Sequence, residues 1–367
     1  MTGSDRKPDA SHAADSQPPA PRGWRRLGKR ARIILCIGLL AAALLVGGRA
    51  LWHHWLYRPP EPGPAVIFRV PRGASAHDIA RDLQRAGLVR HARAFVREVR
   101  RLSRAEHLQA GYYELTPGMT VRALVEKIAS GDTLTQTFTI PEGFTILKIA
   151  RRLARDGIVN EQRFVAVASD GGIAADLGID VPDGATCEGY LFPETYTVEY
   201  GASEQQIVQT MLREFQRQTG PLAQEMAASE LGAHGVVILA SMIEGEAMLD
   251  EERPIIAGVY YNRLRRDMLL ECDATIVYAW ALAGETKTRL LYRDLEIDSP
   301  YNTYKHRGLP VGPICSPGLA SIIAALRPDA NDFLYYVARG DGSHIFTRSY
   351  AEHLAAIRGI RAARRGS

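Results

Sequence analysis

An uncharged apolar run near the N-terminus constrains the fold of this chain more than any other feature. Residues 33–48 contain no charged side chain and are followed by Arg49, Trp52 and Trp55. As a helix, this run spans roughly 24 Å, which is short of a hydrocarbon core of ~30 Å. Snorkelling of Arg49 and interfacial anchoring by the two Trp side chains would extend it. We therefore predict a single transmembrane helix at residues 33–52, followed by a mixed α+β structure.

The charges on either side of this run predict its orientation. Residues 1–32 hold eight Lys or Arg and three Asp, with no periodic apolar pattern. This composition predicts a disordered basic tail, which the positive-inside bias places in the cytoplasm. Everything after residue 52 is then expected outside the inner (plasma) membrane. A cleaved signal peptide is the alternative, but the run is long for one and Gly48-Arg49-Ala50 is a poor cleavage pattern.

Charge and cysteine usage exclude several classes of function. The net charge is +4 and the tail carries +5, so the remainder is close to −1 and does not favour nucleic acid as a partner. Four cysteines, at positions 36, 187, 272 and 315, show neither a CxxC nor a zinc spacing. We expect no metal. A disulfide between Cys272 and Cys315 is compatible with an oxidising compartment but does not follow from the sequence.

An internal repeat follows the anchor. Residues 68–89 align with residues 138–159 at an offset of 70, and nearly half of the positions are identical. Each copy predicts a strand, a Pro-x-Gly turn and a helix that Ser75 or Thr145 can cap. This unit resembles part of a LysM domain, a fold that holds N-acetylglucosamine polymers. We predict a LysM-like module at residues 65–135, which acts either as a glycan grip or as a spacer.

A second apolar helix carries two carboxylates into the interior. Residues 236–247 have almost no polar face apart from Glu244 and Glu246, so the helix is expected to be buried all round. A carboxyl group buried without a partner tends to stay protonated and can then serve as a general acid. The two side chains point to roughly opposite sides, and Glu244 has the smaller neighbours. The alternative is that either Glu pairs with a buried arginine such as Arg263.

Several blocks downstream place this helix in a family. They are Tyr261-Asn-Arg-Leu264, Met268 to Tyr278, Ser299-Pro-Tyr-Asn-Thr-Tyr304 and Gly308 to Gly318. In order and spacing, over roughly residues 65–360, the chain resembles the MltG-type (YceG-like) family of membrane-anchored endolytic murein lytic transglycosylases. The resemblance implies cleavage of the β-1,4 bond between N-acetylmuramic acid and N-acetylglucosamine within peptidoglycan strands, leaving 1,6-anhydro ends. It also implies a catalytic domain at residues 136–360.

The resemblance gives Glu244 the role of catalytic acid and base. It places further residues in blocks associated with the substrate cleft, and we expect them to bind substrate: Glu188, Glu246, Asn262, Asp273, Thr275, Tyr301, Asn302, Thr303 and Tyr304. His344 falls in a similar segment as a substrate contact. The chain departs from the family pattern at Glu271, Cys272 and Ala274, and the extra carboxylate at Glu271 could alter the charge of the cleft.

The chemistry implied by the family needs one carboxylate and no cofactor. The C6 hydroxyl of the muramoyl residue attacks its own anomeric carbon, whereas ordinary glycosidases need a second carboxylate. A hydrolytic muramidase that pairs Glu244 with Glu246, Glu271 or Asp273 is one alternative. Another is a non-catalytic scaffold that recruits synthases to the wall. The family also suggests penicillin-binding or other glycan synthases as partners and a role in ending strand elongation.

The Gly- and Pro-rich segment 308–318 is expected to form a rigid rim. Ser316 can cap a helix that begins at Pro317 and continues over residues 319–326 until Pro328 ends it.

Overall fold

A computed structural model describes residues 29–366 of the chain as a mixture of helices and short strands. Most of the predicted basic tail therefore lies outside the described residues. The helices are α1 (Lys29–Tyr57), α2 (Ala76–Arg85), α3 (Ala92–Arg101), α4 (Val121–Ser130), α5 (Ile146–Arg155), α6 (Glu161–Ala168), α7 (Gly172–Asp176), α8 (Glu204–Thr219), α9 (Ala223–Ala228), α10 (Gly232–Glu246), α11 (Arg253–Arg265), α12 (Asp273–Leu282), α13 (Leu319–Leu326) and α14 (Tyr350–Gly366). The strands are β1 (Val66–Val70), β2 (Gly111–Leu115), β3 (Thr135–Thr139), β4 (Thr195–Glu199), β5 (Tyr335–Ala338) and β6 (His344–Thr347).

The chain divides into two compact units. Among the described residues, the N-terminal unit comprises residues 29–66, Ala74–Leu108 and Leu115–Lys127. The C-terminal unit comprises Ile67–Gly73, Gln109–Glu114 and the chain from Ile128 onward. The strands form three two-stranded sheets, in which β1 pairs with β2, β3 with β4, and β5 with β6.

Helix α1 contains the predicted anchor. Within Arg32–Tyr57, an 18-residue window has a mean hydropathy of 2.3, and none of that window is buried by other parts of the protein. Among the described residues it is the one helix that is by itself long and apolar enough to cross a membrane. The helix extends beyond residue 52, and Leu56 near its end is 4% exposed. The prediction of one N-terminal apolar helix is thereby confirmed.

Both copies of the repeat fold as strand, turn and helix, as predicted. Ser75 and Thr145 accept the backbone N–H of the third residue of α2 and α5, respectively. The turns need Gly73 and Gly143 because their φ angles are +75° and +72°. The helices bury matching apolar stripes: Ile79, Ala80 and Leu83 on α2, and Ile149, Ala150 and Leu153 on α5. In the second copy β3 pairs antiparallel with β4, and Phe138 lies opposite Tyr196.

The core of the C-terminal unit surrounds α10. Every residue from Gly235 to Ile243 is buried, which confirms that this helix is apolar on all sides. It packs against α9, α11, α12 and α13. A helix enclosed in this way has little freedom to rotate or shift, so the side chains of its last turn are held in fixed directions.

Helix α13 does not begin as the sequence predicts. Gly318, not Ser316, is its N-cap residue, and the Ser316 hydroxyl has no hydrogen-bond partner. The backbone of Ser316 instead bridges to the second repeat turn: its N–H donates to Phe144 O at 2.8 Å and its C=O accepts Gly143 N–H at 2.9 Å. The capping prediction was wrong because this tertiary pairing, absent from any local pattern, holds Ser316 in an extended bridge.

Candidate active site

Glu244 lies in the last turn of α10, with its side chain 7% exposed. Its Oε2 accepts hydrogen bonds from Arg253 Nη1 at 3.1 Å, from the N–H of Gly318 at 3.0 Å and from Ser321 Oγ at 2.8 Å. All of its hydrogen bonds to the described residues go to Oε2. The other carboxylate oxygen, Oε1, is therefore the one left for a ligand.

Arg253 connects Glu244 with two more carboxylates. Its side chain is 8% exposed, and its Nε donates to Asp250 Oδ1 at 3.0 Å. Its Nη2 lies 4.0 Å from Glu142 Oε2, in the turn of the second repeat. The charge of a buried guanidinium is costly unless it is compensated, and here three carboxylates share that role. Burial and the neighbouring charge of Glu244 raise the pKa of Glu142.

A cleft of about 470 Å³ opens beside Glu244. This volume lies within the ~300–1,000 Å³ range of ligand-binding sites. Its walls come from the second repeat turn and α5, the last turn of α10, α12 and the segment after it, and the rim: Gly143, Thr145, Leu147, Lys148, Arg151, Glu244, Gly245, Ala274, Val277, Tyr278, Ala281, Gly284, Thr286, Lys287, Ile314 and Cys315. Glu244 is the only carboxylate among these described lining residues.

Small residues create the opening next to the carboxylate. A Cβ on Gly245 would come within 2.7 Å of the Ala274 side chain, so only glycine lets α10 and α12 approach this closely. Cys315 lines the cleft as a neutral thiol, because burial raises its pKa and its Sγ donates to Ser241 O at 3.3 Å. The thiol is thus not available as a nucleophile.

Glu188 supports the cleft from below. It is 3% exposed and accepts the N–H of Ile146, at the start of α5, and the hydroxyl of Tyr278 at 3.1 Å. Burial raises the pKa of Glu188 to about 7. Burial and the Glu188 charge also raise the pKa of Tyr278, which keeps its hydroxyl a donor. Through these bonds Glu188 holds two cleft walls, α5 and α12, at a fixed separation.

Glu246 points away from the cleft toward the start of α12. Its Oε1 accepts Cys272 Sγ at 3.3 Å and the N–H of Ala274 at 3.4 Å. Burial, with the Asp273 charge as a further contribution, raises its pKa. Glu244 and Glu246 thus contact different parts of the fold, although they are only two positions apart on α10.

Most of the other predicted site residues tie the 299–304 loop to α12. Thr303 Oγ1 accepts the N–H of Cys272 at 3.0 Å and lies 2.9 Å from Thr275 Oγ1. Tyr304 donates to Asp273 Oδ1 at 2.6 Å. Asn302, fully buried, donates to Leu295 O and Ile297 O, which precede this loop. Thr303 and Tyr304 hold the loop against α12, and none of these residues is among the described residues that line the cleft.

The two remaining predicted residues lie at different distances from the cleft. The ring of Tyr301 packs edge-on against Tyr278, with 4.9 Å between centroids, and so stands directly behind a cleft wall. Asn262 donates to Asn331 O at 2.8 Å and to Phe333 O at 3.0 Å. It therefore joins α11 to the segment before β5 and is not among the residues that line the cleft.

Comparison with known proteins identifies the family of this chain. A model described as the YceG-like family matches residues 68–359. The chain belongs to the YceG-like family. The resemblance predicted from the sequence blocks is confirmed.

YceG-like relatives share most of the chain. It is 35% identical over 325 residues to a protein named endolytic murein transglycosylase from Bacillus subtilis, covering 84% of this chain and 89% of that one. A Streptococcus pneumoniae protein of the same name is 32% identical over 298 residues, covering 74% of this chain and 54% of its own length. The crystal structure of a YceG-like protein from Listeria monocytogenes aligns with a TM-score of 0.55 at 33% identity, covering 80% of this chain and 99% of that one.

The residues that hydrogen-bond to Glu244 in this YceG-like protein were not identified from the sequence. Arg253, Ser321 and Gly318 surround Glu244, whereas the arginine considered from the sequence, Arg263, pairs with Glu271 at 2.9 Å. Glu271 thus has its charge compensated by Arg263 and does not line the cleft. A signal existed, because a buried carboxylate requires a cation and Arg253 begins the next helix. Choosing between Arg253 and Arg263 required the packing of α11 against α10.

The contacts of His344 and of three cysteines show where these side chains lie and what they bond to. His344 Nδ1 lies 2.6 Å from Glu252 Oε2, and both side chains are buried away from the residues that line the cleft. Cys187, Cys272 and Cys315 are free thiols. The disulfide between Cys272 and Cys315 is absent because each thiol hydrogen-bonds to a different part of α10.

Proposed function

We propose that this chain is an endolytic lytic transglycosylase that cleaves the β-1,4 bond between N-acetylmuramic acid and N-acetylglucosamine within peptidoglycan strands. One observation carries this proposal: Glu244 is the only carboxylate among the described residues that line the cleft. A hydrolase needs a second carboxylate in line with the bond. The candidates Glu246, Glu271 and Asp273 all contact other groups instead. Relatives named endolytic murein transglycosylase support the same reaction.

Glu244 acts first as acid and then as base. Protonated Oε1 gives its proton to the glycosidic oxygen as the bond from that oxygen to the anomeric carbon breaks. The C6 hydroxyl of the muramoyl unit then attacks the anomeric carbon, and its proton passes to Glu244. One bond breaks, one forms, and the products are a 1,6-anhydro end and a free hydroxyl on the glucosamine. No cofactor and no water takes part.

The three donors on Oε2 make this proton cycle easier. When Oε1 gives up its proton, the carboxylate charge is stabilised by Arg253, Ser321 Oγ and the N–H of Gly318. These groups are in place before the reaction, so little reorganisation accompanies the proton transfer. They also fix the plane of the carboxyl group, which keeps Oε1 directed at the ligand.

The domain arrangement belongs to the same proposal. Residues 33–52 anchor the chain in the inner membrane with the basic tail in the cytoplasm, and the catalytic domain at 136–360 lies outside. Residues 65–135, with β1, α2, β2 and α4, form a LysM-like module that grips glycan or acts as a spacer. The apolar helix α1 and the strand–turn–helix units support this arrangement. The synthase partner stays a prediction.

The test is mass spectrometry of glycan fragments released by the full chain in detergent. We expect internal cuts with 1,6-anhydro ends from the wild type and from Glu251→Gln, an exposed charge-loss control in the segment after α10. Glu244→Gln should reduce the rate by at least ~10³-fold, because an acid and base are both lost. Reducing ends would instead establish a muramidase. Intact glycan with both the wild type and the variant would favour the non-catalytic scaffold.

A further inference from the structure

A groove lies where helix α1 meets α3 in the N-terminal unit. It has a volume of about 560 Å³ and is lined by basic, aromatic and apolar side chains from both helices: Val46, Arg49, Ala50, Trp52, His53, Tyr57, Arg97 and Arg101. The guanidinium of Arg97 lies over the ring of Trp52, 4.7 Å from its centroid. The ring of Trp55 lies 3.9 Å from that of His91, at the start of α3. The end of α1 is thus docked on α3 by two aromatic contacts.

Helix α3 presents an arginine-only polar face. Residues 86–104 contain six arginines and one acidic residue, Glu98, which is buried and pairs with Arg101. Arg93, Arg97 and Arg100 are exposed and follow one another on α3 at spacings of four and three, so they form a single stripe, which we call the basic stripe. Arg104 is also exposed, just beyond the end of the helix. No carboxylate of the described residues pairs with them. The opposite face is buried through Ala94, Phe95 and Val99.

The groove lies at the end of the predicted membrane span, at the level expected for the membrane surface. The uncharged run of α1 ends at Gly48, Arg49 follows directly, and Trp52 comes one turn later. Arginine and tryptophan at the end of an apolar span occupy the headgroup region, where lipid phosphates lie. Since the guanidinium of Arg97 stacks on Trp52, the basic stripe reaches this same level at Arg97.

The charge of the stripe contrasts with the rest of the chain. Segment 86–104 carries +5, whereas all residues after 32 together carry about −1. An excess of arginine on the outer side of an anchor runs against the positive-inside bias. Arginine forms bidentate hydrogen bonds with phosphate oxygens, and an anionic surface attracts a basic segment within about a Debye length.

We infer that this groove and the basic stripe form a binding surface for the phosphate headgroups of anionic phospholipids in the outer leaflet of the membrane that α1 spans. The inference rests on the membrane anchoring proposed above, and does not depend on the transglycosylase reaction. Binding there holds α3 flat against the bilayer. It would set the N-terminal unit in one orientation relative to the membrane, rather than leaving it free on the end of α1.

Native mass spectrometry of the full chain, released from detergent micelles that contain added lipid, tests this surface. We expect phosphatidylglycerol to be retained about tenfold more than phosphatidylcholine, with the preference falling as salt is raised. In Arg93→Gln/Arg97→Gln/Arg100→Gln the preference should drop to near one. The matched control Arg213→Gln/Arg266→Gln/Arg358→Gln removes three exposed arginines of the C-terminal unit and should keep it.

Other outcomes overturn the inference. Equal retention of the two lipids by the wild type, or equal loss of preference in both triple variants, would mean that no lipid site exists on α3. Displacement of the lipid by millimolar glycerol phosphate would assign the groove to a soluble phosphate instead. Arg93→Lys/Arg97→Lys/Arg100→Lys keeps the charge, so partial retention of the preference with an unchanged melting temperature excludes misfolding as the cause. Glycan cleavage in detergent serves as a separate readout, and its failure would leave the lipid result standing.

Discussion

The two copies of the repeat share a local fold but differ in what surrounds them. A Cβ on Gly73, in the first turn, would meet no atom within 4 Å, whereas at Gly143, in the second turn, it would lie 3.9 Å from Glu244 Cγ. The residue before the glycine is Arg72 in one copy and Glu142 in the other. Both turns form for the same local reasons. Only the second turn forms a wall of the cleft beside Glu244, and it is bridged to the rim through Ser316.

The largest effect is expected from removing Arg253, the cation that joins the second turn to Glu244. We expect Arg253→Met to lower the free energy of unfolding by about 3–5 kcal/mol, since a buried carboxylate loses its ionic partner. Glycan cleavage should be lost as well. Chemical denaturation and the anhydro-end assay measure the two effects.

An exposed arginine of the first copy provides the control. Arg81 pairs with Asp78 at 3.5 Å while both side chains are more than half exposed, so Arg81→Met should leave stability within experimental error of the wild type. If Arg253→Met proved equally harmless, Arg253 would not be the partner that compensates the buried carboxylate. Arg253→Lys, which keeps the charge, should recover part of the stability.

The second test uses the two carboxylates that support the helix starts. Asp78 caps α2 at the surface and its bond to Ser75 lowers its pKa, whereas burial raises the pKa of Glu188, which supports α5, to about 7. Between about pH 4.5 and 7 the folded protein therefore holds a proton on Glu188 that the unfolded chain releases. Stability should fall as the pH rises through this window, by roughly 3 kcal/mol for a shift of this size.

Glu188→Gln should abolish the decrease in stability between about pH 4.5 and 7. Asp78→Asn should leave that decrease intact, but it should reduce stability at pH values above the unfolded pKa of Asp78, near 4. Urea denaturation from pH 4 to pH 8 measures both variants. A wild-type curve that is flat between pH 4.5 and pH 7 would show that Glu188 is ionised at no cost in the folded state.

The third test compares the two turn glycines. Gly143→Ala and Gly73→Ala each place a Cβ on a backbone with φ near +72° to +75°, which should cost about 1 kcal/mol of stability in both. Only Gly143→Ala should also slow glycan cleavage, by about tenfold, because it displaces the backbone beside Glu244. Equal activity in the two variants would separate the second turn from catalysis.

The smallest expected effect concerns the residue before each glycine. Glu142 lies 4.0 Å from Arg253 Nη2, and its side chain is half exposed. Because a half-exposed pair at this distance contributes little, Glu142→Gln should lower the free energy of unfolding by at most about 1 kcal/mol. Arg72→Gln should leave it unchanged, and chemical denaturation measures both variants. A loss as large as that of Arg253→Met would mean that Glu142, and not Glu244, is the main partner of Arg253.

Much of the architecture followed from patterns in single segments. The apolar run of α1, the two repeat copies with their caps and the buried helix α10 were each predicted and are confirmed. The family, predicted from blocks in a set order, is confirmed as well. The prediction that Ser316 caps α13 was wrong, because Ser316 bridges to Phe144, a residue far away in sequence. The sequence left open whether Cys272 and Cys315 form a disulfide, and the structure shows both thiols bonded to α10 instead.

The sequence by itself determined the apolar helix α1, the two repeat copies and the buried helix α10 that carries Glu244, because apolar patterns and helix caps are local properties of the chain. Tertiary structure alone decided what Glu244 can do. Three donors, from α11, the start of α13 and Ser321, converge on Oε2, and the cleft lies beside the other oxygen. The tertiary structure also pairs Glu246, Glu271 and Asp273 with other groups, so that Glu244 is the one carboxylate among the described residues that line the cleft. The physical reason is that hydrogen bonds and ion pairs between distant residues depend on the relative placement of helices, which close packing sets and no short pattern records.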